Sequence, residues 1–275
     1  MHGDVLATTL ITAPDASPER WIVVLHGILG SRANWRSIAR AHTRQHPDRG
    51  VVLMDLRRHG ESLAVTGDDT LEQCARDVAA TVAHLELSCD AVVGHSFGGK
   101  VAATWALRAD SGIERVLVVD APLSAGHVGS SPSVAEVIAR LRGLPTTFES
   151  RTAFVTRLVH DGFSQSLAAW LSMNLRRTEG GEVVWPLDLD AIQRLLDDYL
   201  RHDLTGIYEA PPPGLELLVV AGGASAAWPE EARASLEAAG QRHGQARLAV
   251  LEDAGHWVHA DDPEGLLALM AAFLP

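Results

Sequence analysis

The stretch AVVGHSFGGKVAATWAL, residues 91–107, carries the strongest structural signal in the chain. Its apolar beginning is typical of a buried strand, and its end has the composition of a helix. Only the turn from Gly94 to Gly98 separates the two, so the backbone must reverse direction within a few residues. A side chain at either glycine would collide with the neighbouring strand or helix. The sequence therefore predicts a strand, a strained turn that presents Ser96, and a helix in direct succession.

Strand-like apolar runs alternate with helical patterns in the first 120 and the last 60 residues. Helices are expected between the strands, for instance over 34–44 and over 70–85, where Asp69 or Thr70 can act as the N-cap. This alternation is typical of a parallel sheet covered on both faces, so the predicted fold class is α/β with a mostly parallel, doubly wound sheet. The predicted strands cover residues 5–11, 21–25, 51–55, 91–94, 115–119, 215–220 and 247–251.

The alternation stops between residues 124 and 210, where four stretches with helical composition begin at residues 131, 148, 165 and 188. The three prolines at 211–213 end this part, because proline cannot continue a helix. We predict an α/β core formed by residues 1–123 and 211–275, with 124–210 inserted as a helical cap over the sheet. Most of its large apolar side chains are expected to form the core of the cap, and some to line a pocket: Phe148, Phe154, Phe163, Trp170, Leu171, Met173 and Trp185.

Composition and charge exclude several classes of protein. The 275 residues are 47% hydrophobic and 21% charged, as in a globular protein, and the formal net charge of −12 disfavours nucleic acid as a partner. The longest apolar runs are strand-sized and fall short of the roughly 20 residues that span a bilayer. The N-terminus lacks the basic and apolar regions of a signal peptide, which predicts a cytoplasmic protein. The two cysteines, Cys74 and Cys89, are expected to be reduced thiols.

Ser96 is the predicted nucleophile, because the turn presents its hydroxyl at the start of a helix, where free N–H groups and the helix dipole favour negative charge. A serine also needs a base that a carboxylate orients. His256 fits best, since it follows the predicted strand 247–251 and precedes a terminal helix that begins near Asp262. The negative oxygen of an attacked carbonyl needs preorganised donors, and the backbone N–H groups of Ile28 and Phe97 are the predicted pair.

The other histidines fit these roles less well. His26 and His59 lie in turn motifs that indicate structural roles, and His42 with His46 is expected to form an exposed helical pair without the glutamate of a zinc motif. His256 and His259 lack a third ligand, so no metal site is expected.

Four motifs stand in a fixed order along the chain: HGILGS at 26–31, DLRRHGES at 55–62, GHSFGGK at 94–100 and AGHWVHADDPE at 254–264. In this order they resemble the α/β-hydrolase superfamily over nearly the whole chain. Lys100 and VVDAP at 118–122 resemble, within it, the YbfF-like and ABHD-type group of small esterases and thioesterases. The resemblance implies hydrolysis of a small-molecule acyl ester or thioester through an acyl-serine intermediate, with no metal or organic cofactor.

The position of the triad acid departs from the commonest pattern of this superfamily. Many members carry the aspartate in a G-x-x-D-x-x-x-P turn, but residues 222–229 have Ser225 in its place. Asp120, at the end of the predicted strand 115–119, emerges at the same edge of the sheet and is the predicted replacement. The YbfF-like esterases are similar in this respect, which implies an auxiliary hydrogen-bonding role for Ser225. Asp253 remains an alternative if its loop folds back toward His256.

Two further hypotheses stay open. The same triad can serve C–C bond hydrolysis, a lyase reaction or acyl transfer, and the chain can also be a ligand-binding pseudo-hydrolase. The substrate pocket is expected beside the catalytic loops, with short or medium acyl chains favoured, and its predicted lining is Leu29, His95, Trp228 and Trp257. Four arginines of the cap are expected either to grip an anionic group of the substrate or to be solvated: Arg140, Arg142, Arg151 and Arg157. The sequence gives no indication of the oligomeric state.

Overall fold

The computed structural model describes residues 4–126 and 133–274. The strands in this part of the chain are β1 (Thr8–Ile11), β2 (Arg20–Leu25), β3 (Arg49–Met54), β4 (Cys89–His95), β5 (Arg115–Val119), β6 (Thr147–Phe148), β7 (Arg176–Arg177), β8 (Val183–Val184), β9 (Glu216–Gly222) and β10 (Ala246–Leu251). The helices are α1 (Arg36–Gln45), α2 (Leu71–Leu85), α3 (Phe97–Ala106), α4 (Val134–Arg142), α5 (Arg151–His160), α6 (Gln165–Leu171), α7 (Leu189–Arg201), α8 (Gly206–Glu209), α9 (Glu230–His243), α10 (Val258–Asp261) and α11 (Pro263–Phe273).

A seven-stranded sheet forms the centre of the fold, in the order β1-β3-β2-β4-β5-β9-β10. Its neighbouring strands are parallel except for β1, which runs antiparallel to β3. Residues 22–25, 51–54 and 91–95 are buried, as expected for strands covered by helices on both faces. All seven predicted strands are present, with ends shifted by at most three residues. The predicted α/β fold class is confirmed, and the carboxyl ends of β4, β5, β9 and β10 meet at one edge.

Local sequence explains how the helices of this sheet begin. Thr70, one of the two predicted N-caps, accepts a hydrogen bond on its side chain from the backbone N–H of Gln73 and starts α2. Asp262 caps α11 in the same way through the N–H of Gly265, and Pro263 occupies the first helical position. These caps fix where each helix leaves the edge of the sheet.

The chain between β5 and β9 contains α4 to α8 and a small sheet of three two-residue strands, in the order β6-β8-β7. We call residues 124–210 the insertion segment. Residues 127–132, which include the first two of the helical stretch predicted from 131, lie outside the described residues. The small sheet was not predicted, because strands of two residues leave no alternating pattern.

Aromatic side chains form part of the interior of the insertion segment. Phe154 is buried, stacks on Trp185 with ring centroids 5.6 Å apart and meets the edge of Phe148 at 5.0 Å. These three residues agree with the prediction of an interior within the cap. Met173 does not, since 47% of its surface is exposed.

Lys100 joins the start of the insertion segment and the end of α7 to α3. Its side chain is fully buried, and Nζ donates to the carbonyl oxygens of Ser124 at 2.8 Å, Tyr199 at 2.9 Å and His202 at 2.7 Å. The three N–H donors of the ammonium therefore each find one carbonyl. Nζ also lies 4.4 Å from the centre of the Tyr199 ring. Burial lowers the pKa of Lys100 to about 8.

The prediction of an exposed pair at His42 and His46 is wrong for His42, which is fully buried. His42 lies on the same face of α1 as Ile38 and Ala39, and this face packs toward α11. Its ring stacks on His46 at 4.8 Å, and burial lowers the pKa of His42 to about 4. A polarity pattern treats histidine as a surface residue, but a neutral imidazole can be buried in this position.

Both thiols, Cys74 and Cys89, are free. Within residues 4–126 and 133–274, no helix has the length and apolar character needed to cross a membrane.

Candidate active site

Ser96 lies in a strained turn between β4 and α3. Its φ of 52° is unfavourable for a residue with a β-carbon, and its N–H donates to the carbonyl of Val119 on β5 at 2.9 Å. The two flanking glycines are required by contact. A β-carbon on Gly94 would lie 2.1 Å from the carbonyl oxygen of Gly98, and one on Gly98 would lie 2.5 Å from that of His26. The turn therefore holds the Ser96 hydroxyl at the edge of the sheet.

Asp120 and His256 meet at this edge although they are far apart in the sequence. Asp120 directly follows β5, and His256 lies in the loop after β10. The Nδ1 atom of His256 is 2.7 Å from Oδ2 of Asp120, whose side chain is buried. The alternative acid, Asp253, is exposed, and within the described residues it forms no hydrogen bond or ion pair. Of the two predicted carboxylates, only Asp120 contacts the imidazole.

Ser225 binds the same carboxylate. Its hydroxyl donates to Oδ2 of Asp120 at 2.5 Å, while the backbone N–H of Gly222 donates to Oδ1 at 2.9 Å. A carboxylate that accepts several hydrogen bonds is stabilised in its charged form. Ser225 thus stands where many members of the superfamily have an aspartate, and it donates a hydrogen bond to Asp120 instead of providing a negative charge.

Asp120 fixes the orientation of His256. With Nδ1 facing the carboxylate, Nε2 is the ring nitrogen left for Ser96, and both residues line one cavity. No hydrogen bond joins the Ser96 hydroxyl to His256 in the described part of the chain. Such contacts are commonly long before a substrate is bound, and they shorten when it arrives.

His95 holds the loop that carries His256. Its Nε2–H donates to the carbonyl of His256 at 2.8 Å, and its ring is 4.8 Å from the His256 ring. Burial is the main cause that lowers the pKa of His95 well below its ordinary value, so the ring stays neutral. His95 was predicted to line the pocket, and it lies both beside the cavity and against the backbone of the candidate base.

The Gly27–Ile28 peptide is held by hydrogen bonds on its oxygen. The Nδ1–H of His26 donates to the Gly27 carbonyl at 2.7 Å, and the N–H of Gly30 donates to the same oxygen at 3.0 Å. The N–H of Ile28 belongs to this peptide and points away from that oxygen. Within the described residues, neither this N–H nor that of Phe97, at the start of α3, has a hydrogen-bond partner. Both are available for a substrate oxygen.

Two buried histidines tie this loop to the turn after β3. Nε2 of His26 accepts the N–H of Leu56 at 3.0 Å, and Nε2 of His59 accepts the N–H of Leu29 at 3.0 Å. Because each Nε2 accepts, each ring carries its proton on Nδ1. Burial lowers the pKa of His59 to about 3 and also lowers the pKa of His26. These contacts agree with the structural roles predicted for both histidines.

Asp55 supports the same turn from its other side. It accepts hydrogen bonds from the N–H of Glu61 at 2.8 Å and from the N–H of Arg32 at 2.7 Å. The Arg32 guanidinium also pairs with Asp55 and with Glu61. These charges are used in holding the loop in place.

A cavity of about 420 Å³ lies over Ser96. Its walls combine the loops that carry Ile28, Ser96 and His256 with α4 and α6 of the insertion segment. Trp170 of α6 faces Trp257 with ring centroids 5.8 Å apart. Of the predicted lining residues, Leu29, His95 and Trp257 are present, whereas Trp228 is buried elsewhere and does not line the cavity. The sequence did not single out the other walls: Val134, Val137, Ser164, Leu167, Ala224 and Ala226.

The four arginines singled out in the cap do not line this cavity. Arg142 pairs with Asp190 at 2.7 Å, and Arg157 pairs with Asp161 at 2.8 Å. Arg140 and Arg151 donate to backbone carbonyls of the insertion segment. Within residues 4–126 and 133–274, no three His, Cys, Asp or Glu side chains are grouped so that they could hold a metal ion.

A parallel sheet whose strand ends bring together a serine on a strained turn, a histidine and an aspartate is the arrangement of an α/β-fold hydrolase. The profile of the alpha/beta hydrolase family matches residues 22–269. The chain belongs to this family and is a hydrolase of this fold.

Curated relatives match most of the chain. The mouse (Mus musculus) sn-1-specific diacylglycerol lipase ABHD11 is 28% identical over 260 residues, which cover 92% of this chain and 80% of that protein. Esterase YbfF of Escherichia coli strain K12 is 26% identical over 278 residues and covers 100% of this chain and 99% of that protein. A solved structure described as a marine microorganism esterase is 25% identical with a TM-score of 0.80, over 98% of this chain and 99% of that one.

Proposed function

We propose that this protein hydrolyses a carboxylic ester of a small molecule through an acyl intermediate on Ser96. The observation that carries the proposal is the 2.7 Å contact between Nδ1 of His256 and Oδ2 of Asp120, which leaves Nε2 for the serine in the same cavity. The printed names of the relatives, a diacylglycerol lipase and an esterase, support an ester as the bond that is cleaved.

In the first half of the reaction, Nε2 of His256 accepts the proton of the Ser96 hydroxyl as Oγ attacks the ester carbonyl carbon. The N–H groups of Ile28 and Phe97 hold the resulting negative oxygen. When the tetrahedral intermediate collapses, the bond to the alcohol breaks and the alcohol oxygen takes the proton from Nε2. The acyl group remains on Ser96.

In the second half, a water molecule takes the place of the alcohol. His256 accepts its proton, the hydroxide oxygen bonds to the acyl carbon, and the carboxylic acid leaves as Ser96 recovers its proton. Asp120 stabilises the imidazolium in both halves. Ser225 is its auxiliary partner, since its hydroxyl binds the oxygen that faces His256.

The apolar walls and the volume of the cavity favour a short or medium acyl chain. In this proposal the insertion segment acts as a cap over the serine, because its residues supply one wall of the cavity. A thioester fits the same chemistry and is included in the test. A cytoplasmic location stays a prediction.

The test uses a fluorophosphonate, which reacts covalently with an activated serine. The parent protein, Ser96→Ala and the control Ser37→Ala, whose serine is exposed on α1, are incubated with it and their intact masses are read. All three are then assayed against nitrophenyl esters and acyl-CoA thioesters of increasing chain length. We expect one label per chain and ester turnover in the parent and the control, and neither in Ser96→Ala.

Other outcomes separate the alternatives. A folded parent that takes no label would overturn the proposal in favour of a ligand-binding protein. Labelling without turnover of any ester or thioester would exclude simple ester hydrolysis and favour a C–C bond hydrolase, a lyase or an acyl transferase. Faster turnover of the thioesters would move the substrate class from esters to thioesters.

A further inference from the structure

One side chain of the insertion segment reaches the loop of the candidate oxyanion donor. Asn174 ends a short 3₁₀ turn, Ser172–Asn174, and is half-buried. Its Nδ2 donates to the carbonyl oxygen of Leu29 at 2.8 Å and to that of Leu171, in its own segment, at 3.3 Å. The two N–H groups of the side-chain amide thus donate to one carbonyl of the loop and one carbonyl of the insertion segment.

Leu29 is the residue that this contact holds, and its backbone is strained. Its φ is 60°, a left-handed conformation that a residue with a β-carbon adopts only when its surroundings impose it. Two hydrogen bonds supply that constraint. His59 accepts the Leu29 N–H from the side of the core, and Asn174 binds the Leu29 carbonyl from the side of the insertion segment.

The position of Leu29 matters because Ile28 directly precedes it. The direction of the Ile28 N–H is set by the orientation of the Gly27–Ile28 peptide, whose oxygen is held by His26. The other end of this short loop is fixed by the backbone of Leu29. If Leu29 relaxes toward negative φ, the Ile28–Leu29 peptide rotates. The Gly27–Ile28 peptide, which carries the Ile28 N–H, is joined to it at the α-carbon of Ile28 and shifts in response.

The turn that carries Asn174 is itself well held. Arg151 donates to the carbonyl of Ser172, and the side chain of Asn34 donates to Sδ of Met173 at 3.6 Å. The same Asn34 accepts the N–H of Ser31 at 2.7 Å, at the far end of the loop. The turn therefore contacts the loop directly at Leu29 and is linked to Ser31 through the side chain of Asn34.

We propose that Asn174 is a positioning residue, which makes the geometry of the oxyanion hole depend on the seating of the insertion segment against the core. This inference rests on the proposed function, because it assigns a role in stabilising the tetrahedral intermediate. A merely structural Asn174 would hold the insertion segment in place, and its loss would change substrate affinity and melting temperature without a specific effect on turnover.

The test compares Asn174→Asp, Asn174→Ala and the control Arg142→Gln with the parent. Aspartate has the shape of asparagine but puts carboxylate oxygen against both carbonyls, so it reverses the contact with little change in volume. Arg142→Gln removes an exposed ion pair with Asp190 within the insertion segment, and the bonds of Arg142 do not involve the loop of Leu29. All assays are run at a temperature at which circular dichroism finds every variant folded.

Two readouts are measured with a nitrophenyl ester as substrate. We expect kcat to fall on the order of 10- to 100-fold in Asn174→Asp, and less in Asn174→Ala, with KM within about threefold of the parent, because an interaction made only in the transition state is lost. Inhibition by benzeneboronic acid, which forms a tetrahedral adduct on serine, should weaken by a similar factor. Arg142→Gln should match the parent in both.

The two failures are distinguishable. If Asn174→Asp keeps the parental kcat while Ser96→Ala is inactive, the role of Asn174 is wrong and ester hydrolysis stands. A rise in KM with unchanged kcat and unchanged boronic-acid inhibition would also overturn the inference and leave Asn174 as a tether. A parent that neither takes the fluorophosphonate nor turns over ester overturns both proposals together.

Discussion

Replacement of Asp120 by asparagine tests the assignment of the acid most directly, because it exchanges one carboxylate oxygen for an NH₂ group and removes one charge. In the parent, Oδ2 accepts from His256 at 2.7 Å and from Ser225 at 2.5 Å, while Oδ1 accepts from the Gly222 N–H at 2.9 Å. The amide of an asparagine can keep its oxygen toward Gly222. Its NH₂ group then faces two groups that both donated to Asp120.

The conflict is relieved if His256 moves its proton from Nδ1 to Nε2. The imidazole then offers a lone pair to the asparagine, but Nε2 carries a proton and cannot accept the one from Ser96. The negative charge that stabilised the imidazolium is also lost. A triad that loses its base in this way turns over roughly 10⁴-fold more slowly. That factor corresponds to about 5 kcal/mol of transition-state stabilisation.

The assay is steady-state hydrolysis of a nitrophenyl ester by the parent, Asp120→Asn and the matched control Asp253→Asn. Asp253 is exposed and lies close to His256 in the sequence, so it carries the alternative assignment of the acid. We expect a fall in kcat of about four orders of magnitude for Asp120→Asn and no change for the control. A fall below about tenfold at Asp120, or a large fall at Asp253, would refute the reasoning.

Three further changes have expected outcomes. Ser225→Ala removes a hydroxyl that donates to a charged carboxylate, and such a hydrogen bond contributes about 1.5–3 kcal/mol. We therefore expect kcat to fall by about 10- to 100-fold. An unchanged kcat would contradict an auxiliary role of Ser225. Lys100→Met leaves three carbonyls without a donor, which should cost at least about 3 kcal/mol and lower Tm by roughly 5 °C in differential scanning calorimetry. A shift below about 2 °C would contradict this account of Lys100. Burial lowers the pKa of His59 from 6.5 to about 3, so between these pH values the unfolded chain binds a proton that the folded chain does not. The free energy of unfolding is therefore highest above pH 6.5 and decreases as the pH falls toward 3. At about 1.4 kcal/mol per pH unit, the parent should lose about 2 kcal/mol more than His59→Gln between pH 6.5 and about pH 5 in urea unfolding, and equal losses would contradict this account of His59.

The parts of the site that sequence predicts are those with short-range patterns. The strand–turn–helix at Ser96 is predictable because two glycines mark the turn, and a β-carbon added to either would collide with backbone atoms. The strands on either side alternate with helices, and their carboxyl ends bring Asp120 and His256 to one edge. The turn at Ser225 has no carboxylate, and Asp120 ends a predicted strand at the same edge of the sheet, so the sequence predicts Asp120 as the acid.

The parts that sequence misses depend on contacts without a local pattern. Asn174 reaches Leu29 across 145 residues, and nothing near Asn174 indicates that contact. Its position near the predicted catalytic loops indicates Trp228 as a pocket residue, but its side chain is buried and does not line the cavity. His42 is buried because a neutral ring fits the packed face of α1, which a scale of polarity cannot express.

The contacts of Lys100 Nζ bring two distant parts of the chain together, and this affects how the sequence between them can change in evolution. Ser124 and His202 are far apart in the sequence, yet their carbonyl oxygens are 2.8 and 2.7 Å from the same atom. The polypeptide departs after β5 and comes back beside its point of departure before it continues through α8 to the amino end of β9. Segments whose ends lie this close together are the ones that tolerate insertions. Evolution can therefore lengthen, shorten or exchange the sequence between these points while the strands keep their order. Substrate range can diversify by replacement of one contiguous block of codons.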